Sequence, residues 1–171
     1  MKKLSLNPSI EDEFISSNIS LNEYIQEIVS SFKEISKKKF FVSSDQFKRK
    51  IKISKSPEIV YGLRNFIGNA NKFSKSKIEI SLESNDKETC IIIYDDGIGF
   101  PSDLIDKNKL GEPYIRSKSS EEISKYGFGL GTFIGKTLLE KNYASINFEN
   151  RNDKSGAKVI IKWQNKDLKN I

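Results

Sequence analysis

Apolar residues recur at spacings of three and four from Leu21 onward: Leu21, Tyr24, Ile25, Ile28, Phe32 and Ile35. That period predicts an amphipathic helix. Ser20 or Asn22 can open it, and Lys37-Lys38-Lys39 would suit the negative end of its dipole. Phe40-Phe41-Val42 reads as a short buried strand, Asp45 and Gln46 as a turn, and the alternating stretch Arg49–Ile53 as a second strand. Ser56-Pro57-Glu58 then starts a second helix, since Ser caps, Pro fits the first turn and Glu complements the positive end. It should run to about Phe73, with Ile59, Leu63, Phe66, Ile67, Ala70 and Phe73 on one face.

The period then changes to two. Ile78, Ile80 and Leu82 alternate with Lys77, Glu79 and Ser81, as in a strand with one polar face. After a turn at Ser84-Asn85-Asp86, the apolar run Cys90–Tyr94 predicts a central strand with Cys90 in the core, broken by Gly97, Gly99 and Pro101. From Ser102 to Tyr126 the chain is polar with little period, and a loop of that length inside a domain is functional or mobile. Gly127–Gly131 leads into a helix through Lys141, and Ala144–Glu149 and Ala157–Trp163 close the pattern as two strands. The order αββαββ, long loop, αββ predicts an α+β fold with helices stacked on one face of a mixed sheet. Met1–Asn18 lacks a period and reads as a linker, residues 19–165 as the domain, and 166–171 as a tail.

Composition narrows the chemistry. The chain has 171 residues, 36% hydrophobic and 11% aromatic, enough for one domain with a core. No apolar run reaches about 18 residues, and the first residues lack a signal-peptide apolar region. A single cysteine, Cys90, allows no intrachain disulfide and leaves structural zinc unsupported, so a cytoplasmic setting is expected. The absence of histidine excludes His metal sites, Ser-His-Asp triads and Cys-His dyads within this chain. The net charge of +6, from 29 Lys+Arg against 23 Asp+Glu, suits nucleic acid, anionic lipid or nucleotide phosphates, or simply a solvated surface.

Three groups of residues could carry chemistry. Asn65, Asn69 and Lys72, at i, i+4 and i+7, fall within a helical arc of roughly 60° beside the apolar face. Two carboxamides and an ammonium there offer oxygens to Mg²⁺ and positive charge to phosphate, or are ordinary exposed polar residues. Asp95-Asp96-Gly97-Ile98-Gly99 follows a buried strand, where a carboxylate can accept from an exocyclic amine and glycines let a flat ring approach, or where the strand simply turns. Gly127-Phe128-Gly129-Leu130-Gly131 precedes a helix and can cradle phosphate, or act as a hinge. In this order the three make a complete ATP site.

With those motifs in place, the chain resembles the ATP-binding catalytic domain of bacterial sensor histidine kinases, in the superfamily of gyrase, heat-shock chaperone and mismatch-repair ATPases. Asn65–Phe73 resembles the family's N box and Asp95–Phe100 its first glycine box. Gly111–Arg116 resembles part of the ATP lid, Gly127–Gly131 a second glycine box, and Gly156-Ala157 a weak third one. Gly-Glu-Pro-Tyr at 111–114, the segment 131–140 and the terminal Val-Ile-Ile-Lys-Trp look like the redox-responsive RegB/PrrB type.

The resemblance implies a two-layer α/β sandwich of the Bergerat type, with ATP and Mg²⁺ as ligands. It implies that Asp95 binds the adenine amino group between Gly97 and Gly99. Asn69 would ligate Mg²⁺, with Asn65 as a second candidate ligand. Lys72 would contact phosphate, Arg116 would stabilise γ-phosphate charge with Lys118 assisting, Tyr114 would belong to the lid, and Gly127, Gly129, Leu130 and Gly131 would close over the phosphates. Asn65, Lys72 and Arg116 are the catalytic candidates. The implied partners are a histidine-bearing dimerisation domain outside this chain and a response regulator, in a homodimeric parent anchored in the bacterial inner membrane, with no direct nucleic-acid contact.

Two departures bear on mechanism. Family members often carry an acidic or amide residue just before the metal-binding Asn, where this chain has Gly68. The acceptor histidine is also absent, so the chain is expected to be one piece of a kinase. A stand-alone serine kinase of the same superfamily is the main alternative, and a basic nucleic-acid-binding module the second. The serine kinases and the ATPases usually place a glutamate base where Asn65 stands, and an amide cannot take a proton at neutral pH. That favours a histidine acceptor.

Overall fold

A computed structural model describes residues 19–44, 52–53, 56–106, 109–113 and 130–168. A five-stranded sheet forms one layer. It comprises β2 (Lys39–Ser44), β4 (Lys77–Ser84), β5 (Glu88–Asp95), β6 (Ser145–Asn150) and β7 (Ala157–Gln164) in the order β2-β4-β5-β7-β6. Only the β2–β4 pair is parallel. Three helices cover one face: α1 (Leu21–Lys33), α2 (Pro57–Phe73) and α4 (Leu130–Lys141). The expected α+β sandwich is therefore borne out, with β5 at its centre.

The alternation explains the layering. Ile78, Ile80 and Leu82 of β4, Ile91 and Ile93 of β5, and Val159, Ile161 and Trp163 of β7 are buried beneath the helices. Their neighbours in sequence face the other way and are only partly covered. Cys90 is one of these. It is half-buried on the outer face beside Lys162, not in the core as its apolar run implied. Burial pushes its thiol up from the ordinary value.

Ser20 is the true cap of α1. Its hydroxyl accepts from Glu23 N, and the Glu23 carboxylate accepts from Ser20 N at 2.7 Å, a reciprocal capping box. The helix stops at Lys33, so Ile35, expected on its apolar face, is 80% exposed. The lysines that follow act on a different helix. Lys38 Nζ donates to the carbonyls of Asn71 and Ser74, where α2 ends. A cation there balances the partial negative charge of α2's unpaired carbonyls.

Other boundaries differ from the periodic reading. β3 (Lys52–Ile53) pairs with β1 (Ile19–Ser20), outside the main sheet, and its Ile53 is buried in the core. Asp45, Gln46 and 49–51 lie outside the described residues. In β2 only Phe40 is buried, and Phe41 lies on the other face beneath the Lys77 ammonium. A short helix, α3 (Ser102–Asp106), occupies part of the stretch read as loop, and its Leu104 joins Leu110 in the core. Leu168, past the expected domain end at 165, is also buried.

The antiparallel crossing of α2 and α4 sets up the site. A Cβ on Gly62 would lie 2.6 Å from Leu139 Cγ, and one on Gly135 would lie 3.0 Å from Asn65 Cβ. The two helices thus meet backbone to backbone, which brings Asn65 and Asn69 against the start of α4.

Candidate functional site

The last residue of β5, Asp95, is 6% exposed. Its Oδ1 accepts from Gly97 N at 2.8 Å and from Ala157 N at 3.2 Å; Oδ2 takes neither bond. Burial pushes the Asp95 carboxyl above its ordinary pKa, and the two N–H donors only partly offset that. The residues around Asp95 are held by close backbone contacts. A Cβ at Gly97 would meet the Phe73 carbonyl oxygen at 2.4 Å, so this turn packs directly on the end of α2. Ser155 Oγ donates to Gly97 O at 2.5 Å, and Gly156, just before β7, abuts the Asp95 carbonyl.

One neighbour that the sequence reading passed over completes this frame. Asn150, ending β6, accepts from Phe100 N at 2.6 Å and donates to Phe100 O at 2.9 Å. It thereby pairs with the Phe100 backbone as a strand would. Gly99, at φ +84°, admits that carboxamide, since a Cβ would lie 2.5 Å from Asn150 Oδ1.

Asp96 turns away from Asp95. Its carboxylate collects the amides of Lys75, Ser76 and Lys77 and the Ser76 hydroxyl, locking the α2–β4 turn. Burial alone would raise its pKa, but these donors outweigh it and hold the carboxyl at about 2. A depressed folded pKa gives stability that is present above the ordinary carboxylate pKa of about 3.9 and lost as pH falls toward the folded value. Asp96→Asn is expected to destabilise the fold by about 1–2 kcal/mol at neutral pH, after allowance for solvent screening. Urea denaturation should show the gap to wild type shrinking as pH falls from about 4 toward about 2. A gap independent of pH would show that charge plays no part in this turn.

Across from Asp95, α2 presents Asn69, which donates from Nδ2 to Thr132 Oγ1 at 3.2 Å. Asn65 donates from Nδ2 to Tyr61 O at 2.8 Å. Both amide nitrogens are thus engaged, and the Oδ1 atoms converge on Gly131. A Cβ at Gly131 would lie 3.3 Å from Asn65 Oδ1 and 4.0 Å from Asn69 Oδ1. Two neutral oxygens around a space that a side chain would fill fit a hard divalent cation that retains most of its waters. Lys72, one turn on, is exposed, with Nζ 5.4 Å from the Phe73 ring centroid. Leu130, at the N-terminus of α4, is 50% exposed. Tyr114, Arg116, Lys118, Gly127 and Gly129 lie outside the described residues.

Gly68 faces elsewhere. A Cβ there would meet Phe32 Cζ of α1 at 3.3 Å, so position 68 is turned toward α1.

One cleft unites these parts. It is partly open to solvent and is walled by Phe66, Phe73, Ile93, Phe148 and Val159, with Asp95, Gly99, Asn69 and Thr132 supplying its polar edges. Phe148 is fixed by Phe66 at 6.0 Å and by the Phe100 ring edge at 5.6 Å. Asp95 and Asn69 therefore share one wall-lined space; Asn65 and Lys72 border it on α2 without forming its wall. The aromatic walls suit a flat ring carrying an amine, and an anionic tail would extend toward the carboxamide oxygens and a cation held there. Among the described residues, no helix is long and apolar enough to cross a membrane.

Comparison with known proteins agrees with this geometry. Residues 55–167 match the family of histidine kinase-, DNA gyrase B-, and HSP90-like ATPases. The chain is 36% identical over 126 residues to sensor histidine kinase RegB of Cereibacter sphaeroides, covering 65% of this chain but only 27% of RegB. It thus spans about a quarter of that relative's length. Its fold superposes on the nucleotide-free catalytic domain of histidine kinase ThkA with a TM-score of 0.69 at 23% identity, covering 87% of this chain and 97% of that one. Full-length ShkA in complex with AMPPNP gives 0.64 at 17% identity, over 86% of this chain and 30% of ShkA. With its Bergerat-type sandwich and a family match across most of its length, the chain belongs to the histidine kinase-, DNA gyrase B- and HSP90-like ATPases.

Proposed function

We propose that this chain is the ATP-binding catalytic domain of a two-component sensor histidine kinase. One observation carries the reading: the buried acceptor Asp95 and the carboxamide Asn69 line the same aromatic cleft. Asp95 accepts from the adenine amine and disfavours guanine, which presents a carbonyl there. Phe73 and Phe148 flank the base. Asn69, with Asn65 beside it, offers oxygen to Mg²⁺, which neutralises phosphate charge when bound. Lys72 would balance the remaining charge, and the resemblance implies that Arg116 and Lys118 assist and that Tyr114, Gly127, Gly129, Leu130 and Gly131 belong to the segment that covers the phosphates.

The reaction needs no base from this chain. A neutral imidazole nitrogen on another domain attacks the γ-phosphorus with its own lone pair, the bond to the β–γ bridging oxygen breaks, and ADP leaves. The phosphoryl group passes on to a response-regulator aspartate. Asn65 cannot take a proton, which disfavours water or a serine hydroxyl as acceptor. Gly68 is consistent with this, because its side-chain direction faces Phe32 and not the cleft. The partners are a histidine-bearing dimerisation domain and a response regulator within a homodimeric, membrane-anchored parent.

Titration calorimetry with ATP, ADP and GTP in Mg²⁺ tests the reading. ATP and ADP should bind, with GTP at least about tenfold weaker, the value of one mismatched hydrogen bond. A supplied histidine-bearing domain should then become labelled from γ-phosphate-labelled ATP. Equal GTP and ATP affinity, or no nucleotide binding, would overturn it.

A further inference from the structure

Thr132 stands out because its polar group is buried and no motif accounts for it. The residue is 6% exposed, lines the cleft, and lies in the first turn of α4, one residue past Gly131. Its Oγ1 is 3.2 Å from Asn69 Nδ2. The geometry points to Thr132 as a positioning residue that anchors the Asn69 carboxamide with its oxygen toward the cation site.

A carboxamide has two nearly isosteric ends, one a donor and one an acceptor. Only the oxygen can ligate a metal. Asn65 is oriented by its own helix, since Nδ2 donates to a backbone carbonyl that can only accept. No described backbone carbonyl does this for Asn69; its Nδ2 donates to the Thr132 hydroxyl. With Nδ2 held on that hydroxyl, Asn69 Oδ1 lies toward Gly131, where Asn65 Oδ1 also points. Donation from Nδ2 also draws electron density onto the amide oxygen, strengthening it as a ligand. Thr132 thus acts as an outer-shell partner of a metal ligand, and links the start of α4 to the carboxamide helix. Removing such a partner typically costs on the order of 10–100-fold in metal affinity.

The inference rests on the Mg²⁺–nucleotide reading above, and the experiment separates the two. In the full chain, ATP affinity is measured by calorimetry across a Mg²⁺ titration, with a parallel measurement in excess EDTA. Wild type should show Mg²⁺-dependent ATP affinity; a wild type that binds no ATP, or binds it without regard to Mg²⁺, defeats the site reading itself. Given that dependence, Thr132→Val keeps the side-chain shape and removes the hydroxyl. It should raise the half-effect Mg²⁺ concentration by about tenfold, a larger factor than any loss of metal-free ATP affinity. Thr132→Ser, which restores the hydroxyl, should return the Mg²⁺ response to the wild-type range. The inference is overturned if Val leaves the Mg²⁺ response unchanged, if it weakens metal-free and metal-dependent binding equally, or if Ser is as impaired as Val.

Discussion

Replacing Asp95 by Asn is expected to weaken ATP binding by about 1.5–3 kcal/mol, roughly ten- to more than hundredfold in Kd, while the fold survives. The two effects separate because the carboxylate has two oxygens with different work. Oδ1 accepts from Gly97 N and Ala157 N, and an Asn carbonyl oxygen can take both bonds unchanged. The other end then becomes an NH₂ facing the cleft, so a donor opposes the adenine amine.

Stability should move the opposite way. Burial raises the folded pKa of Asp95 above its ordinary value. A raised carboxylate pKa means that the ionised group lowers stability above the folded pKa, and that this penalty is absent below the ordinary pKa of about 3.9. Asp95→Asn removes the penalty. Its melting temperature should exceed that of wild type at neutral pH, and the advantage should fade on acidification. Calorimetric Kd and a pH series of thermal melts check both arms. A variant that loses affinity and stability together would make Asp95 a structural residue; one that keeps full affinity would remove it from base recognition.

What could be read from sequence was whatever repeats locally. The helix over 57–73 follows from Ser56-Pro57-Glu58 and its apolar face, and β4 and β5 from a period of two. Asp95 and Asn69 were legible as chemistry because their residue types sit at the end of a strand and along one helical arc. Less legible was anything that depends on a partner distant in sequence. Lys38 looks like the end of its own helix but caps α2, thirty-odd residues later. Asp96 looks like a twin of Asp95, yet the chain bends just past the end of β5 and the two face opposite sides, one into the cleft and one onto the α2–β4 turn. Asn150 carries no local signal at all; its role exists only because β6 ends beside Phe100. Gly62 and Gly135 could have been noticed as small residues on apolar helix faces, which is the one sequence trace of the close α2–α4 crossing.

Gly156→Ala should be the most damaging single-methyl change at this site. Gly156 lies at φ +139°, where L side chains are strained, and an added Cβ would fall 2.0 Å from the Asp95 carbonyl oxygen. Backbone strain of about 1–3 kcal/mol and overpacking of about 1–3 kcal/mol act together, because the obstacle is backbone and cannot rotate aside. Relief requires β7 to move away from the end of β5, which breaks the Ala157 N bond to Asp95 Oδ1. The loss is therefore expected in stability, about 2–6 kcal/mol by denaturant titration, and in ATP affinity at once. Gly68→Ala is the matched control. Its Cβ would meet only the Phe32 ring at 3.3 Å, and Ala's helix preference of about 1 kcal/mol over Gly opposes that squeeze. It should change stability by less than about 1 kcal/mol and leave ATP affinity alone. Equal effects of the two substitutions would mean that the β5–β7 junction is looser than its contacts imply, and that Asp95 is not held in place from the β7 side.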